Sequence, residues 1–264
     1  MLILLSPAKS LDYATPLADG VAASATAPQF VPQSSALIAL LRQQTPQTLA
    51  TLMKISDPLA ALNVARYQAW NSDPHARSAT ARPALLAFNG DVYDGLQARS
   101  LGRADLDWAQ QHLAILSGLY GVLRPLDAMQ PYRLEMGTRL ATHKGANLYQ
   151  FWGAQIAEYL NAQLSDDATP VVLNLASQEY FKSVDLKTLR ARVVECVFQD
   201  YQGGAYKIVS FHAKRARGLM ARYCIDQRAT RPEQLHDFNA AGYAFERSAS
   251  APEKLVFRRR AAGA

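Results

Sequence analysis

The segment SFHAKRARGLMARY, Ser210 to Tyr223, carries Lys214, Arg215, Arg217 and Arg222 and no acid. On a helix Lys214, Arg217 and Gly218 fall together at i, i+3 and i+4, while Arg215 and Arg222 share another face. Leu219, Met220 and Tyr223 are left for the core side. Two basic faces exceed what one internal ion pair needs, and the helix N-terminus adds partial positive charge near Lys214. Phosphate suits such a stretch, and a guanidinium clasps it with paired donors. A solvated basic helix would have the same composition, so the other segments must decide.

Three further segments offer chemistry. In SPAKSLD, Lys9 stands between the hydroxyls of Ser6 and Ser10 and near Asp12, directly after a short apolar run. This suits a phosphate cradle or a lysine whose pKa burial could shift; a solvated surface lysine is the plain alternative. In NLASQEYFKSVD, Ser177, Glu179, Tyr180 and Lys182 place a hydroxyl, an acid, a phenol and an ammonium at the end of an apolar strand. That set serves acid–base catalysis or phosphate contact, unless Tyr180 and Phe181 merely anchor a loop. In LSGLYGVLRPLDAMQPYRLEMG a helix is expected to end at Gly118, with Gly121 following after Leu119 and Tyr120. A helix-hairpin-helix turn would aim backbone N–H groups at a DNA phosphate here. Its usual spacing has one apolar residue between the glycines, and Pro125 shortens any second helix. A helix C-cap followed by a buried turn explains the same residues.

Familiar signatures are missing: GxGxxG, a Walker loop, HExxH and GxSxG do not occur. His75, His112, His143, His212 and His236 never pair at the i, i+4 spacing of a helical metal site, so neither a metal nor a cofactor is expected.

These residues need a scaffold, and 264 residues with 49% hydrophobic and 19% charged content can build one. The net charge of +6 is mild, but between Lys182 and Arg222 nine Lys/Arg face three Asp/Glu, so the excess is local. Cys196 and Cys224 exclude a disulfide framework and suit a reducing cytosol as buried thiols. The start, MLILLSPAKS, has neither the basic lead nor the apolar length of a secretory signal, and no run approaches a membrane span, so a soluble cytoplasmic protein is expected.

LILL at Leu2 and VVLNLAS at Val171 read as buried strands, ALLAF at Ala84 as a strand closed by Asn89-Gly90, and residues 14–34 as a surface loop. Ser34 or Ser35, Thr45-Pro46, Asp57-Pro58, Asp105 and Asn147 mark helix starts, the last two before LDWAQQHLAILS and LYQFWGAQIAEYLNAQL. Gln202-Gly203-Gly204 joins VVECVFQDY and AYKIVSF in a hairpin that feeds the basic helix, and GYAF and KLVF form a final strand pair. The expected fold is therefore mixed α/β, one domain over residues 1–264. Its termini would share a sheet that is not all-parallel.

LILLSPAKSLD, LMKISDPLAALNVARYQAW, AFNGDVYDGL, LSGLYGVLRPLDAMQPYRLEMG, NLASQEYFKSV and SFHAKRARGLMARY together closely resemble the YaaA peroxide-stress family of bacteria, in the family's order. The resemblance implies a cytosolic DNA-binding protein of the hydrogen-peroxide response that limits free intracellular iron and Fenton damage. It implies a β-rich core wrapped by helices, a basic groove, and a helix-hairpin-helix-like element carried onto Gly118 to Arg124. Ser10 stands where Thr is expected, and His212 where another aromatic is expected. The residues assigned to DNA are Lys9, Gly118, Gly121, Arg124, Lys182, Lys214, Arg215, Arg217 and Arg222, on a monomer binding duplex or distorted DNA without membrane contact. Two alternatives stand beside this. One is a nucleic-acid lyase with Lys9 or Lys182 as amine nucleophile and Glu179 or Tyr180 moving protons; the other is direct iron binding.

Overall fold

The computed structural model describes residues 1–18, 20–73 and 80–260. At its centre lies β1 (Leu2–Leu5), four apolar residues buried throughout. A strand with no polar alternation needs cover on both faces, which a largely parallel sheet sandwiched by helices supplies. β1 runs parallel to β5 (Leu113–Ser117) on one side and to β8 (Val171–Asn174) on the other, with Leu4 opposite both Ala114 and Asn174. Beyond β8 the sheet continues in parallel through β9 (Arg192–Gln202) and β12 (Lys254–Arg259) to antiparallel β11 (Ala244–Phe245). Antiparallel β6 (Gly121–Leu123) forms the other edge, and β10 (Ala205–Lys207) folds back on the far end of β9. The described residues form a mixed eight-stranded sheet in a single α/β domain, β1 and β12 do share it, and two short ladders lie outside it, β2 (Ser10–Leu11) with β4 (Phe88–Asn89) and β3 (Arg82–Pro83) with β7 (Ala128–Met129).

The helical start signals hold in part. Thr45 caps α2 (Pro46–Met53) by accepting the Thr48 N–H, and Asn147 caps α7 (Leu148–Trp152) by accepting the Gln150 N–H. The expected long helix after Asn147 breaks at Gly153, whose φ of 50° leaves the helical region, and resumes as α8 (Gln155–Gln163). α1 (Val31–Leu41) begins upstream of Ser34, so Ser34 is no cap; its buried hydroxyl donates to the Phe30 and Leu119 carbonyls. Ala84–Ala87 forms a helical turn, α4, rather than the expected strand. Its first two N–H groups are held by the Asp127 and Pro125 carbonyls, which favours the compact form of an Ala/Leu tetrapeptide.

The expected helix from Asp105 also ends early. α6 (Arg103–His112) starts two residues before Asp105, whose carboxylate accepts the Gly102 N–H, and it stops where β5 begins. Leu113–Ser117 is buried at every residue, and pairing with β1 outweighs the local helical periodicity.

The basic segment forms α10 (Ser210–Asp226), which crosses α5 (Asp91–Leu96) at backbone contact. A Cβ on Gly218 would lie 1.8 Å from the Val92 carbonyl oxygen, and one on Gly95 would lie 2.2 Å from that of Arg215. Both crossing positions therefore require glycine. Cys196 and Cys224 are buried and free, with burial pushing the Cys224 thiol up to about 12.

Candidate functional site

The outgoing connections of β1 and β8 diverge. The chain leaving β1 returns to the sheet at β5, while the chain leaving β8 joins β9 on the opposite side. Neighbouring strands whose continuations separate leave a crevice beyond their carboxyl ends, the usual ligand position in open α/β sheets. Here Ser6 follows β1 and Ser177 lies just past β8, and they close on each other: Ser6 Oγ accepts the Ser177 N–H at 2.8 Å and donates to Ser177 Oγ at 3.3 Å. A cleft of about 420 Å³ opens over this pair.

Lys9, Lys214 and Arg217 line the cleft together with Glu179 and Tyr180. Lys9 is largely exposed, its Nζ 3.4 Å from Glu135 Oε1, which also accepts from Arg133 at 2.9 Å. Lys214 Nζ lies 4.0 Å from Asp91 Oδ2. Among the described residues Arg217 has no carboxylate within 4.0 Å; burial pushes its pKa below the usual arginine value, against the opposing pull of Glu195. Glu179 Oε1 accepts the Gly137 N–H at 2.9 Å, and its carbonyl takes the Tyr149 hydroxyl at 3.0 Å. Burial holds the Tyr180 phenol well above its ordinary pKa, with the neighbouring Tyr132 and Glu179 charges adding to the effect. Tyr93 donates to the Ser6 carbonyl at 3.0 Å, so the turn after β1 is held from below.

Other assigned residues lie elsewhere. Lys182 stands over the Tyr149 ring at 5.0 Å and does not line the cleft, Arg215 is exposed, and Arg222 binds Asp226 at 2.8 Å and Ser100 at 2.6 Å. His212 lies against Asp200, Nδ1 to Oδ1 3.4 Å, and also does not line the cleft.

The helix-hairpin-helix expectation for Gly118 to Arg124 is overturned. Leu113–Ser117 and Gly121–Leu123 are paired strands, and every residue from Leu113 to Leu123 is buried. Gly118 is small because the Leu134 carbonyl packs 2.2 Å from where a Cβ would sit, and its own carbonyl accepts Trp152 Nε1–H. Gly121 takes a φ of +65° against the Trp152 ring. Arg124 is bound to Asp127, which is buried. These backbone N–H groups therefore have no path to a phosphate.

Sequence reasoning missed Asp91, Arg133 and Glu135, although all three line the cleft. Asn89-Gly90-Asp91 reads as a turn, and Arg133 and Glu135 sit in a run of turn formers; only tertiary pairing with Lys214 and Lys9 marks them. The cleft thus presents four cations (Lys9, Arg133, Lys214, Arg217) and three carboxylates (Asp91, Glu135, Glu179), a polar socket rather than a uniformly basic trough.

The family model described as peroxide stress protein YaaA matches residues 1–249. The chain belongs to this family. Among curated relatives it is 67% identical to a UPF0246 protein of Verminephrobacter eiseniae, over 100% of both chains. It is equally identical, 67%, to one of Paracidovorax citrulli, again over the full length of both. A UPF0246 protein of Bordetella petrii is 63% identical over 99% of this chain and all of its own. The YaaA family to which the chain belongs is one of peroxide-stress proteins. No described helix is long and apolar enough to cross a membrane.

Proposed function

We propose that this protein serves the peroxide response by binding DNA, through phosphates held in the switch-point cleft, and that it thereby limits free iron and oxidative damage to DNA. The observation that carries this reading is the convergence of Lys9, Lys214 and Arg217 around the Ser6–Ser177 pair. Arg217 is the principal phosphate contact, because it has no carboxylate to surrender among the described residues. Lys9 and Lys214 reach phosphate by leaving Glu135 and Asp91.

Labelled duplex and bubble DNA titrated at two salt concentrations tests the reading. Affinity should fall steeply with salt as counterions are released, and Arg217→Ala should weaken binding; affinity indifferent to salt sinks it. The iron effect is checked by whole-cell electron paramagnetic resonance of chelated iron in a deletion strain carrying wild type or Arg217→Ala. Among the described residues no three His, Cys, Asp or Glu side chains are grouped to hold a metal; in this reading the iron effect follows from DNA binding.

A second reading, a lyase acting on abasic DNA, is favoured by Lys9, Glu179 and Tyr180 sharing the cleft. The Lys9 amine would add to the sugar aldehyde and expel water to form an imine. Glu135 is the carboxylate nearest to Lys9 and is placed to accept its proton; Lys182 has no part in this version. Borohydride should trap a covalent adduct on abasic DNA that Lys9→Ala abolishes; no adduct leaves Lys9 as a phosphate contact.

A further inference from the structure

β9 is paired with β8 only as far as Glu195, yet it continues to Gln202, overrunning β8 by seven residues, roughly 23 Å at strand rise. The overrun lies at the carboxyl ends of the parallel strands, the end that carries the cleft, and its return strand β10 leads directly into α10 with Lys214 and Arg217. The pleat sorts this arm into two faces. Asp200 points to the buried face, where it accepts from Tyr243 at 2.8 Å and Arg259 at 2.7 Å. The opposite face presents Tyr201 and its cross-strand partner Tyr206, rings 5.2 Å apart and edge to face. Two guanidiniums from β12 and the residue after it cover them: Arg260 lies 4.1 Å from the Tyr201 centroid, and Arg258 4.4 Å from that of Tyr206. Glu246, at 3.9 Å from Arg258, is the one carboxylate within ion-pair reach of either arginine among the described residues. Ile208 and Phe211, which follow β10 in the chain, are 60% and 59% exposed.

We infer that this face of the β9–β10 arm binds single-stranded nucleic acid, stacking unpaired bases on Tyr201, Tyr206 and their paired guanidiniums. Alternating rings and guanidiniums accept any base through its π-face, while the positive charge follows the phosphates. A protein partner bound through apolar contact alone would have no use for arginines laid flat over the rings. The inference rests on the reading of the cleft as a DNA site and adds to it a surface for bases.

The test uses the full chain and fluorescence anisotropy with a labelled 15-mer of thymidylate and a labelled duplex of equal length. Tyr206→Ala should weaken the oligothymidylate about tenfold, the loss typical for one stacked base, and leave the duplex unchanged. Tyr206→Phe should restore binding, because the ring and not the hydroxyl stacks. Ultraviolet crosslinking of an oligomer carrying 5-iodouracil to the unaltered protein gives a check independent of any variant's folding: the adduct should map to the peptide spanning Tyr201 and Tyr206. An adduct elsewhere, or Tyr206→Ala binding the oligomer like wild type, overturns the inference and leaves the cleft reading intact. Failure of the wild type to bind either DNA removes the cleft reading itself. If Tyr206→Ala instead abolishes a concentration-dependent dimer in sedimentation and keeps oligomer affinity, the face belongs to a second copy of the chain and the inference fails.

Discussion

The two ends of the central sheet both carry cations but treat them differently. At the carboxyl ends of β1 and β8, Lys9 and Lys214 are each within 4.0 Å of an acid, and the cleft floor is a hydrogen-bonded serine pair. At the amino ends of β1, β8 and β9, a wider depression of about 810 Å³ is lined by Arg190, Arg192 and Arg231. None of these three arginines has a carboxylate within 4.0 Å among the described residues; Asp167, which shares the depression, is taken up by the Met1 ammonium at 3.2 Å. Unmatched charge attracts a polyanion at range and raises encounter rates, while matched charge in a shaped socket orients and discriminates. If the cleft binds DNA as proposed, the arginine-rich end would steer the polyanion and the cleft would recognise it, with Arg217 as the one cleft arginine outside ion-pair reach of a carboxylate among the described residues.

The contrast can be broken most severely at the α5–α10 crossing. Gly218→Ala places a methyl 1.8 Å from a backbone oxygen, which cannot step aside as a side chain could. We expect a loss of ~3 kcal/mol or more in denaturant unfolding, with the cleft wall lost as well. A variant as stable as wild type would show the wall to be pliable.

Arg124→Ala separates structural from functional charge. It strips the guanidinium from buried Asp127, whose pKa burial already raises, and should cost about 1–3 kcal/mol while leaving DNA affinity untouched. A clear drop in affinity at preserved stability would return the Gly118–Arg124 hairpin to the binding surface.

The two sheet ends can then be compared directly. Arg217→Ala should weaken DNA binding about tenfold at moderate salt, a loss in keeping with one charge-assisted contact. Arg190, Arg192 and Arg231 changed together to Gln should slow association at low salt and change affinity by less than about threefold at 0.15 M, where screening is short-ranged. Reversed magnitudes would exchange the roles of the two ends.

The smallest effect is expected in acid. Hydrogen bonds from the Thr15 backbone and hydroxyl, helped by Arg99, lower the Asp12 carboxyl from 3.8 to about 2 and tie down the loop after Lys9. Its folded-state pKa is depressed, so its contribution is complete above about 3.8 and disappears as pH falls towards 2. Asp12→Asn should flatten melting temperature against pH across that window and leave neutral-pH DNA binding unchanged.

Much of this was legible in the sequence, for identifiable reasons. Leu2–Leu5 and Val171–Asn174 announce doubly covered strands because they lack alternation, and Gly203-Gly204 marks the β9–β10 turn with φ values of 58° and 85°. Leu113–Ser117 misleads because Leu106, Ala109, Leu113 and Leu116 continue a helical stripe, whereas the deciding partner is β1, far away in the chain. The site follows the same logic. Lys9, Ser177 to Tyr180, Lys214 and Arg217 stand out by residue type near strand ends and on a basic helix. Asp91 and Glu135 become meaningful only through ammonium groups that other segments bring to them.

The glycine crossing of α5 and α10 has a mechanical consequence. Asp91, Lys214 and Arg217 ride on two backbones already in contact, so this jaw of the cleft cannot widen by pressing α5 and α10 closer together. The opposite jaw, the turns after β1 and β8 and the stretch Tyr132 to Glu135, is built from connections instead of packed helices, which leaves it the freer side to adapt to what the cleft would hold.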